Sequence, residues 1–101
     1  MTTYKIKWSS RGMSDLLSCI EFVANVSLKA ADDLKEELFD AANSLSTFPE
    51  RNPIFEMTKS FPEIVRKCIV SKRYILLYII RDDAITIYRV LDSRRKFTHL
   101  I

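Results

Sequence analysis

The 101-residue sequence has few of the residues on which common cofactor and metal sites depend. Glycine occurs once, at Gly12, which excludes the phosphate-binding loops and dinucleotide-binding turns that need several glycines. Histidine also occurs once, at His99, and the two cysteines are Cys19 and Cys68. Three such residues cannot form a closed four-ligand zinc site. We therefore expect no metal site and no cofactor.

Long apolar runs are also missing, because no stretch of about 18 apolar residues occurs. The first residues do not have the pattern of a secretory signal peptide. Apolar residues make up 48% of the sequence and charged residues 29%, which is typical of a globular protein. These features predict a single domain over residues 1–101 that lies in the cytoplasm, without a membrane partner and with both cysteines as reduced thiols.

The two halves of the sequence carry opposite net charge. Residues 1–50 have a net charge of −3, whereas residues 51–101 have a net charge of +6. A basic half favours a polyanion or an acidic protein as partner. The solvated edge of a sheet would give the same balance, so charge alone leaves both interpretations open.

The first half of the sequence predicts one strand and two helices. Residues 4–8 alternate apolar and polar, which predicts a half-buried strand with Tyr4, Ile6 and Trp8 facing a core. Ser9-Ser10 can then cap a helix that runs to about residue 25, and Ser27 can cap a second helix that ends at Phe48-Pro49. Because the link between them is short, the helices should pack as an antiparallel hairpin. The predicted core stripes are Met13, Leu16, Leu17, Ile20 and Val23, followed by Leu28, Ala31, Leu34, Leu38, Ala41, Ala42 and Leu45.

The second half predicts a loop and then three strands. Residues 49–63 contain all three prolines and no apolar period, which indicates a surface loop, although it has too many apolar residues for a free linker. Residues 64–70, 74–80 and 84–91 are rich in β-branched and aromatic side chains and predict strands, with turns at 71–73 and 82–83. The order β-α-α-β-β-β predicts an α+β fold in which the helical hairpin packs on an antiparallel sheet of three or more strands.

Catalytic patterns are weak in this sequence. A nucleophile activated by histidine would depend on His99, near the end of the chain, whereas a catalytic base needs a rigid position. Adjacent carboxylates occur on the exposed face of the second predicted helix and in the turn at 82–83, where they are expected to be solvated.

Basic and aromatic side chains dominate the predicted strands and the residues after them. This pattern suits phosphate contacts and base stacking. Strict alternation would place Arg89 on the face of Ile85 and Ile87, where a cation needs an ion pair or a bound anion. The structural alternative is that Arg89 pairs with Asp92 or Glu63 and that the tyrosines cap the core. The basic set is Arg66, Lys67, Lys72, Arg73, Arg81, Arg89, Arg94, Arg95 and Lys96.

A series of short motifs extends along almost the whole sequence: Trp8-Ser9, Asp15-Leu16, Ile20, Ser27, Ala30-Ala31, Leu38, Leu45, Phe48-Pro49-Glu50, Arg66, residues 74–78, Asp82-Asp83, residues 85–90 and Arg94-Arg95. With these motifs the sequence resembles the RelE/ParE superfamily of toxins from bacterial type II toxin–antitoxin systems, and the ParE-like branch most closely. The resemblance implies the same α+β fold, a growth-inhibiting toxin and a cognate antitoxin as partner in a higher-order complex.

Within this superfamily the resemblance leaves the activity open. A ParE-like toxin would poison DNA gyrase and would not be an enzyme, and its target contacts here would be Arg66, Arg89, Arg94 and Arg95. A RelE-like toxin would be a ribosome-dependent mRNA endonuclease in which a base activates the ribose 2′-OH and arginine stabilises the developing charge.

The RelE-like pattern carries over to this sequence only in part. Arg66 and Arg95 match it as catalytic residues, Lys67 and His99 are the remaining acid–base candidates, and Ile75 stands where that branch has arginine. A third interpretation is an antitoxin-binding module that has lost toxic activity. In each case the exposed apolar residues Phe97, Leu100 and Ile101 are the expected antitoxin contacts, and the groove between hairpin and sheet is the expected seat.

Overall fold

The computed structural model describes residues 3–56 and 63–94. The chain forms strand β1 (Lys5–Trp8), helices α1 (Ser10–Ala24) and α2 (Leu28–Ser44), and strands β2 (Arg66–Val70), β3 (Tyr74–Arg81) and β4 (Ala84–Asp92). A short 3-10 turn at Pro49–Arg51 follows α2. The predicted element order and α+β class are confirmed.

The strands form one four-stranded sheet in the order β1-β4-β3-β2. Strands β2, β3 and β4 are antiparallel neighbours, as predicted. Strand β1 pairs in parallel with β4, from Lys5 opposite Ala84 to Trp8 opposite Ile87, which makes the sheet mixed. The alternation of β1 predicts which side chains face the core, but it carries no information about the neighbouring strand.

Both helices begin at the serines that the sequence predicts. The Ser9 side chain accepts a hydrogen bond from the Gly12 amide at 2.9 Å, and Ser27 accepts one from the Ala30 amide at 3.1 Å. These caps satisfy amides that have no partner inside the helix. Neither helix is long and apolar enough to cross a bilayer, within the residues that the structure describes.

Apolar cores lie on both faces of the sheet. The hairpin covers one face, where Leu38, Ala42, Leu76, Tyr78, Ile85 and Ile87 are fully buried and where Tyr4, Ile6 and Trp8 pack against the core as predicted. The other face carries a smaller core of Phe55, Val65, Leu77, Ile79 and Leu91. Phe55 comes from the predicted loop, which confirms that this segment is not a free linker.

Three predictions about the helical hairpin are wrong. Leu17 and Leu28 do not face the core, since 57% and 75% of their surfaces are exposed. Leu17 follows the buried Leu16 and therefore lies about 100° around the helix from it, and Leu28 is the first residue of α2. Helix α2 also ends at Ser44, before the predicted stop at Phe48-Pro49, and Leu45 is its C-cap.

Helix α1 approaches strand β4 closely at Gly12. A Cβ atom at this position would lie 2.5 Å from the carbonyl oxygen of Ile87, a backbone atom that cannot swing away. The same carbonyl accepts a hydrogen bond from the Ser9 amide at 3.0 Å, which fixes the start of the helix against the strand. The absence of a side chain at Gly12 therefore sets the distance between α1 and the sheet.

We expect Gly12→Ala to destabilise the protein, although alanine favours helix by about 1 kcal/mol over glycine. Overpacking against a fixed backbone atom costs about 1–3 kcal/mol, which outweighs that gain. Ser14→Ala, at an exposed position of the same helix, is the matched control and should change stability by less than about 0.5 kcal/mol. Urea denaturation measures both. Equal or greater stability of Gly12→Ala would contradict the close approach.

Candidate functional site

Arg66, at the start of β2, holds the chain that follows helix α2. Its Nη1 donates hydrogen bonds to the carbonyl oxygens of Glu50 at 3.2 Å and Asn52 at 2.7 Å. The side chain is half-buried and lies opposite Tyr78 of β3. The resemblance predicts that Arg66 contacts the target, whereas in the structure its guanidinium donates hydrogen bonds to backbone carbonyls within the fold.

Two more side chains hold the same segment, residues 47–52, which we name the clamped segment. The hydroxyl of the fully buried Tyr78 donates to the carbonyl oxygen of Pro49 at 2.5 Å. Burial raises the pKa of this phenol, so the hydroxyl keeps its proton. Arg51 donates to the carbonyl oxygens of Ser44 at 3.1 Å and Thr47 at 2.7 Å, which satisfies the end of α2.

Arg66 and Lys67 do not converge on one site. Successive residues of a strand point to opposite faces of the sheet. Arg66 pairs with Tyr78, which belongs to the core beneath the hairpin, whereas Lys67 pairs with Leu77, which belongs to the core on the other face. The side chains of Arg66 and Lys67 therefore leave β2 on opposite faces of the sheet.

Arg89 forms an ion pair with Asp15 of helix α1. The Nε–Oδ2 distance is 2.6 Å and the Nη2–Oδ1 distance is 3.2 Å, and the two side chains are only 12% and 19% exposed. The same carboxylate accepts a hydrogen bond from the Val90 amide at 3.0 Å. Arg89 is thus a structural cation whose partner is neither Asp92 nor Glu63, the two partners expected from the sequence.

A β-bulge explains why the alternation of β4 fails at Arg89. Leu77 lies opposite Arg89 and Tyr78 opposite Ile87, so Tyr88 is the extra residue. Beyond this point Val90, rather than Arg89, shares the core of Ile85 and Ile87. The predicted placement of Arg89 on the face of Ile85 and Ile87 is therefore wrong.

Arg94, which follows β4, is more exposed to solvent than Arg89. Its Nη2 lies 2.9 Å from Oδ2 of Asp92, and its side chain is 53% exposed, against 7% for Asp92. The hydrogen bonds from Arg94 hold the pKa of Asp92 below its ordinary value, against the opposing effect of burial. Glu63 pairs with Arg81 instead. Arg95, Phe97, His99, Leu100 and Ile101 lie outside the described residues.

Two open grooves flank these elements. One, of about 450 Å³, is lined by Glu50, Glu63, Ile64, Arg66, Ile79 and Ile80. The other, of about 320 Å³, lies between the helical hairpin and the β2–β3 turn, where Val23, Ala30 and Leu34 face Arg73 and Tyr74. Over the ranges 3–56 and 63–94, no cluster of three or more His, Cys, Asp or Glu side chains has a metal-binding arrangement.

Three residues organise this region although the sequence pattern assigns them no role in the site: Asp15, Arg51 and Phe48. Asp15 and Arg89 are 74 positions apart, and no local pattern links them. Arg51 follows the end of α2 by a few residues, and cations near helix ends are a signal that could have identified it. Phe48 adopts a left-handed backbone with φ of 52°, and the presence of an aromatic residue in the sequence gives no indication of that conformation.

We expect Asp15→Ala to destabilise the protein by about 3 kcal/mol, because it leaves the Arg89 guanidinium buried without its charge partner. Asp33→Ala is the matched control, since it removes the exposed Lys29–Asp33 pair and should cost no more than about 0.5 kcal/mol. Chemical denaturation compares the two variants. Equal losses would show that the Asp15–Arg89 pair acts as an ordinary surface pair.

Comparison with known proteins gives one consistent result. Residues 6–97 match the family model described as the ParE toxin of the type II toxin–antitoxin system parDE. The chain is 26% identical over 91 residues to Toxin RelE2 of Caulobacter vibrioides, covering 90% of this chain and 97% of that relative. A chain in the solved structure of the chromosomal ParDE TA system from P. aeruginosa has the same fold, with a TM-score of 0.71, 14% identity, and coverage of 89% of this chain and 96% of that one.

The family match spans every helix and almost every strand residue described above, from Ile6 in β1 to beyond the end of β4. The protein therefore belongs to the ParE toxin family of type II toxin–antitoxin systems.

Proposed function

We propose that this toxin inhibits bacterial growth by poisoning DNA gyrase and does not cut RNA. The observation that carries the proposal is the placement of Arg66 and Lys67 on opposite faces of the sheet. Nuclease chemistry needs a base, an acid and a cation within hydrogen-bond reach of one phosphate. Because Lys67 points away from Arg66, the two nuclease candidates in the described part of the chain do not supply that set.

The roles of the arginines differ under this proposal. Arg66 is a positioning residue, since it fixes the carbonyls of the clamped segment. Arg94, with half of its side chain exposed, and the neighbouring Arg95 are the proposed target contacts. Both Arg89 and Arg94 pair with a carboxylate, but Arg89 is left out of this set because its side chain is only 12% exposed.

Purified toxin should inhibit supercoiling of relaxed DNA by gyrase, and its induction in cells should raise double-strand breaks before protein synthesis falls. Added cognate antitoxin is the control and should restore supercoiling. An immediate loss of translation with ribosome-dependent mRNA cleavage, and no effect on gyrase, would support the RelE-like alternative instead.

Membership of this family implies a cognate antitoxin as partner. We propose that the antitoxin binds in the groove between the hairpin and the β2–β3 turn. Val23 and Leu34 give this groove apolar walls, and Asp33 and Glu37, which accepts a hydrogen bond from Ser71, also line it. Among the described residues, the buried Nε of Arg73 has no hydrogen-bond partner, and the guanidinium lies 5.5 Å from the Tyr74 ring. A carboxylate or backbone carbonyl of the antitoxin would supply the missing acceptor at Arg73.

Ala30→Trp should weaken antitoxin binding by at least about tenfold, because a bulky side chain at this exposed position fills the groove. Asn43→Trp is the matched control, since it adds the same side chain at an exposed site of α2 outside the groove. Isothermal titration of each variant with the antitoxin measures both affinities. Unchanged affinity for Ala30→Trp would place the antitoxin elsewhere.

The proposed target also sets the proposed compartment, the cytoplasm, where gyrase acts on chromosomal DNA. Neither Cys19 nor Cys68, both in the described part of the chain, forms a disulfide. Burial is the largest influence on Cys68 and raises the pKa of its thiol, which keeps that group protonated and unreactive.

A further inference from the structure

Phe48 combines two features that oppose each other. Its backbone lies in the left-handed region, with φ of 52° and ψ of 56°, which is rare for a bulky residue and costs conformational free energy. Its side chain is nevertheless 75% exposed, so burial of the ring within the protein offsets little of that conformational free energy. Glycine or asparagine would adopt the same backbone with less strain.

The clamped segment explains how the strain persists. Arg51 binds the carbonyls of Ser44 and Thr47 before Phe48, Tyr78 binds the carbonyl of Pro49 directly after it, and Arg66 binds those of Glu50 and Asn52. Hydrogen bonds from three side chains thus fix the backbone on both sides of one residue. Such over-determined strain concentrates at functional positions.

A rigid, exposed aromatic side chain is well suited to be the anchor of a protein interface. Aromatic residues that enter a pocket of a partner dominate binding energy, and a fixed backbone lowers the entropy lost on binding. Here the hydrogen bonds of the clamped segment have already ordered the backbone of the anchor before any partner arrives.

The surroundings of Phe48 favour a protein over a nucleic acid as the partner. Glu50, two residues along the chain, is exposed and lines the larger groove, in which Glu63 is already paired with Arg81. The exposed Glu50 carboxylate repels the phosphates of DNA or RNA, and the guanidinium groups of Arg51 and Arg66 are directed at backbone carbonyls of the fold. The complementary surface is an apolar pocket with basic side chains at its rim.

Resting on the proposed function, we propose that Phe48 is an aromatic anchor that inserts into an apolar, basic-rimmed pocket of the target protein, gyrase. The Arg66 and Tyr78 hydrogen bonds present this anchor, and Glu50 faces the basic rim. The anchor is separate from the groove assigned to the antitoxin.

Phe48→Asn tests this inference, because asparagine tolerates the left-handed backbone and removes the ring. Its melting temperature should equal or exceed that of the wild type, while inhibition of gyrase and of growth should each fall by at least about tenfold. Phe48→Trp keeps an aromatic ring and should retain both activities. Val26→Asn, at an 88% exposed apolar residue of the α1–α2 link, is the matched control and should also retain both.

Three results would overturn the inference: full potency of Phe48→Asn, a lower melting temperature that reveals a packing role, or loss of antitoxin binding instead of toxicity. Binding that depends on Phe48 but occurs with DNA or RNA alone would also overturn it. Failure of the proposed function is a distinct result, in which the wild type has no effect on gyrase. In that case the assignment of the pocket to gyrase is overturned as well, and loss of growth inhibition by Phe48→Asn would show that Phe48 contacts a different target.

Discussion

The docking of helix α1 on strand β4 is the constraint on which the rest of this toxin depends. Three residues of the helix start, spaced by three positions, meet consecutive residues of the strand. The Ser9 amide donates to the Ile87 carbonyl, and Gly12, which has no side chain, packs against the same carbonyl. The Ser9 hydroxyl donates to the Tyr88 carbonyl. The Asp15 carboxylate accepts hydrogen bonds from the Arg89 side chain and the Val90 amide. A spacing of three places these residues on one face of the helix.

That contact fixes the helical hairpin over the sheet, and the sheet in turn fixes the clamped segment. Tyr78 lies in the middle of β3, fully buried, and its hydroxyl reaches the Pro49 carbonyl. Arg66 lies opposite it on β2 and reaches the next carbonyls. The position of the segment after α2 is thus set by two strands that follow it in sequence, and long-range contacts give it a rigidity that its own local sequence does not provide.

The sequence predicts the parts of the fold that depend on short-range patterns. Ser9 and Ser27 cap the helices, and the turns at 71–73 and 82–83 separate the strands, because capping and hairpin formation are decided within a few residues. The parallel pairing of β1 with β4 and the Asp15–Arg89 ion pair join residues more than 70 positions apart. No local period encodes such pairs.

The candidate site likewise combines features that short-range patterns predict with features that depend on long-range contacts. Alternation alone places Arg66 and Lys67 on opposite faces of β2, and the structure agrees. It cannot predict that Arg66 binds backbone carbonyls, that a bulge at Tyr88 redirects Arg89, or that Phe48 adopts a left-handed backbone. Each of these depends on packing between elements. The predicted contacts at Arg95, Phe97, Leu100 and Ile101 lie outside the described residues and stay predictions.

We propose that this toxin acts by binding a protein target through a rigid surface, and direct binding of purified toxin to purified gyrase is the decisive measurement. Toxin is immobilised, and the binding of gyrase to it is titrated. A separate titration with ribosomes that carry mRNA compares the two targets. We expect saturable binding to gyrase that needs no nucleic acid. Saturable binding to the ribosomes, with none to gyrase, would contradict it.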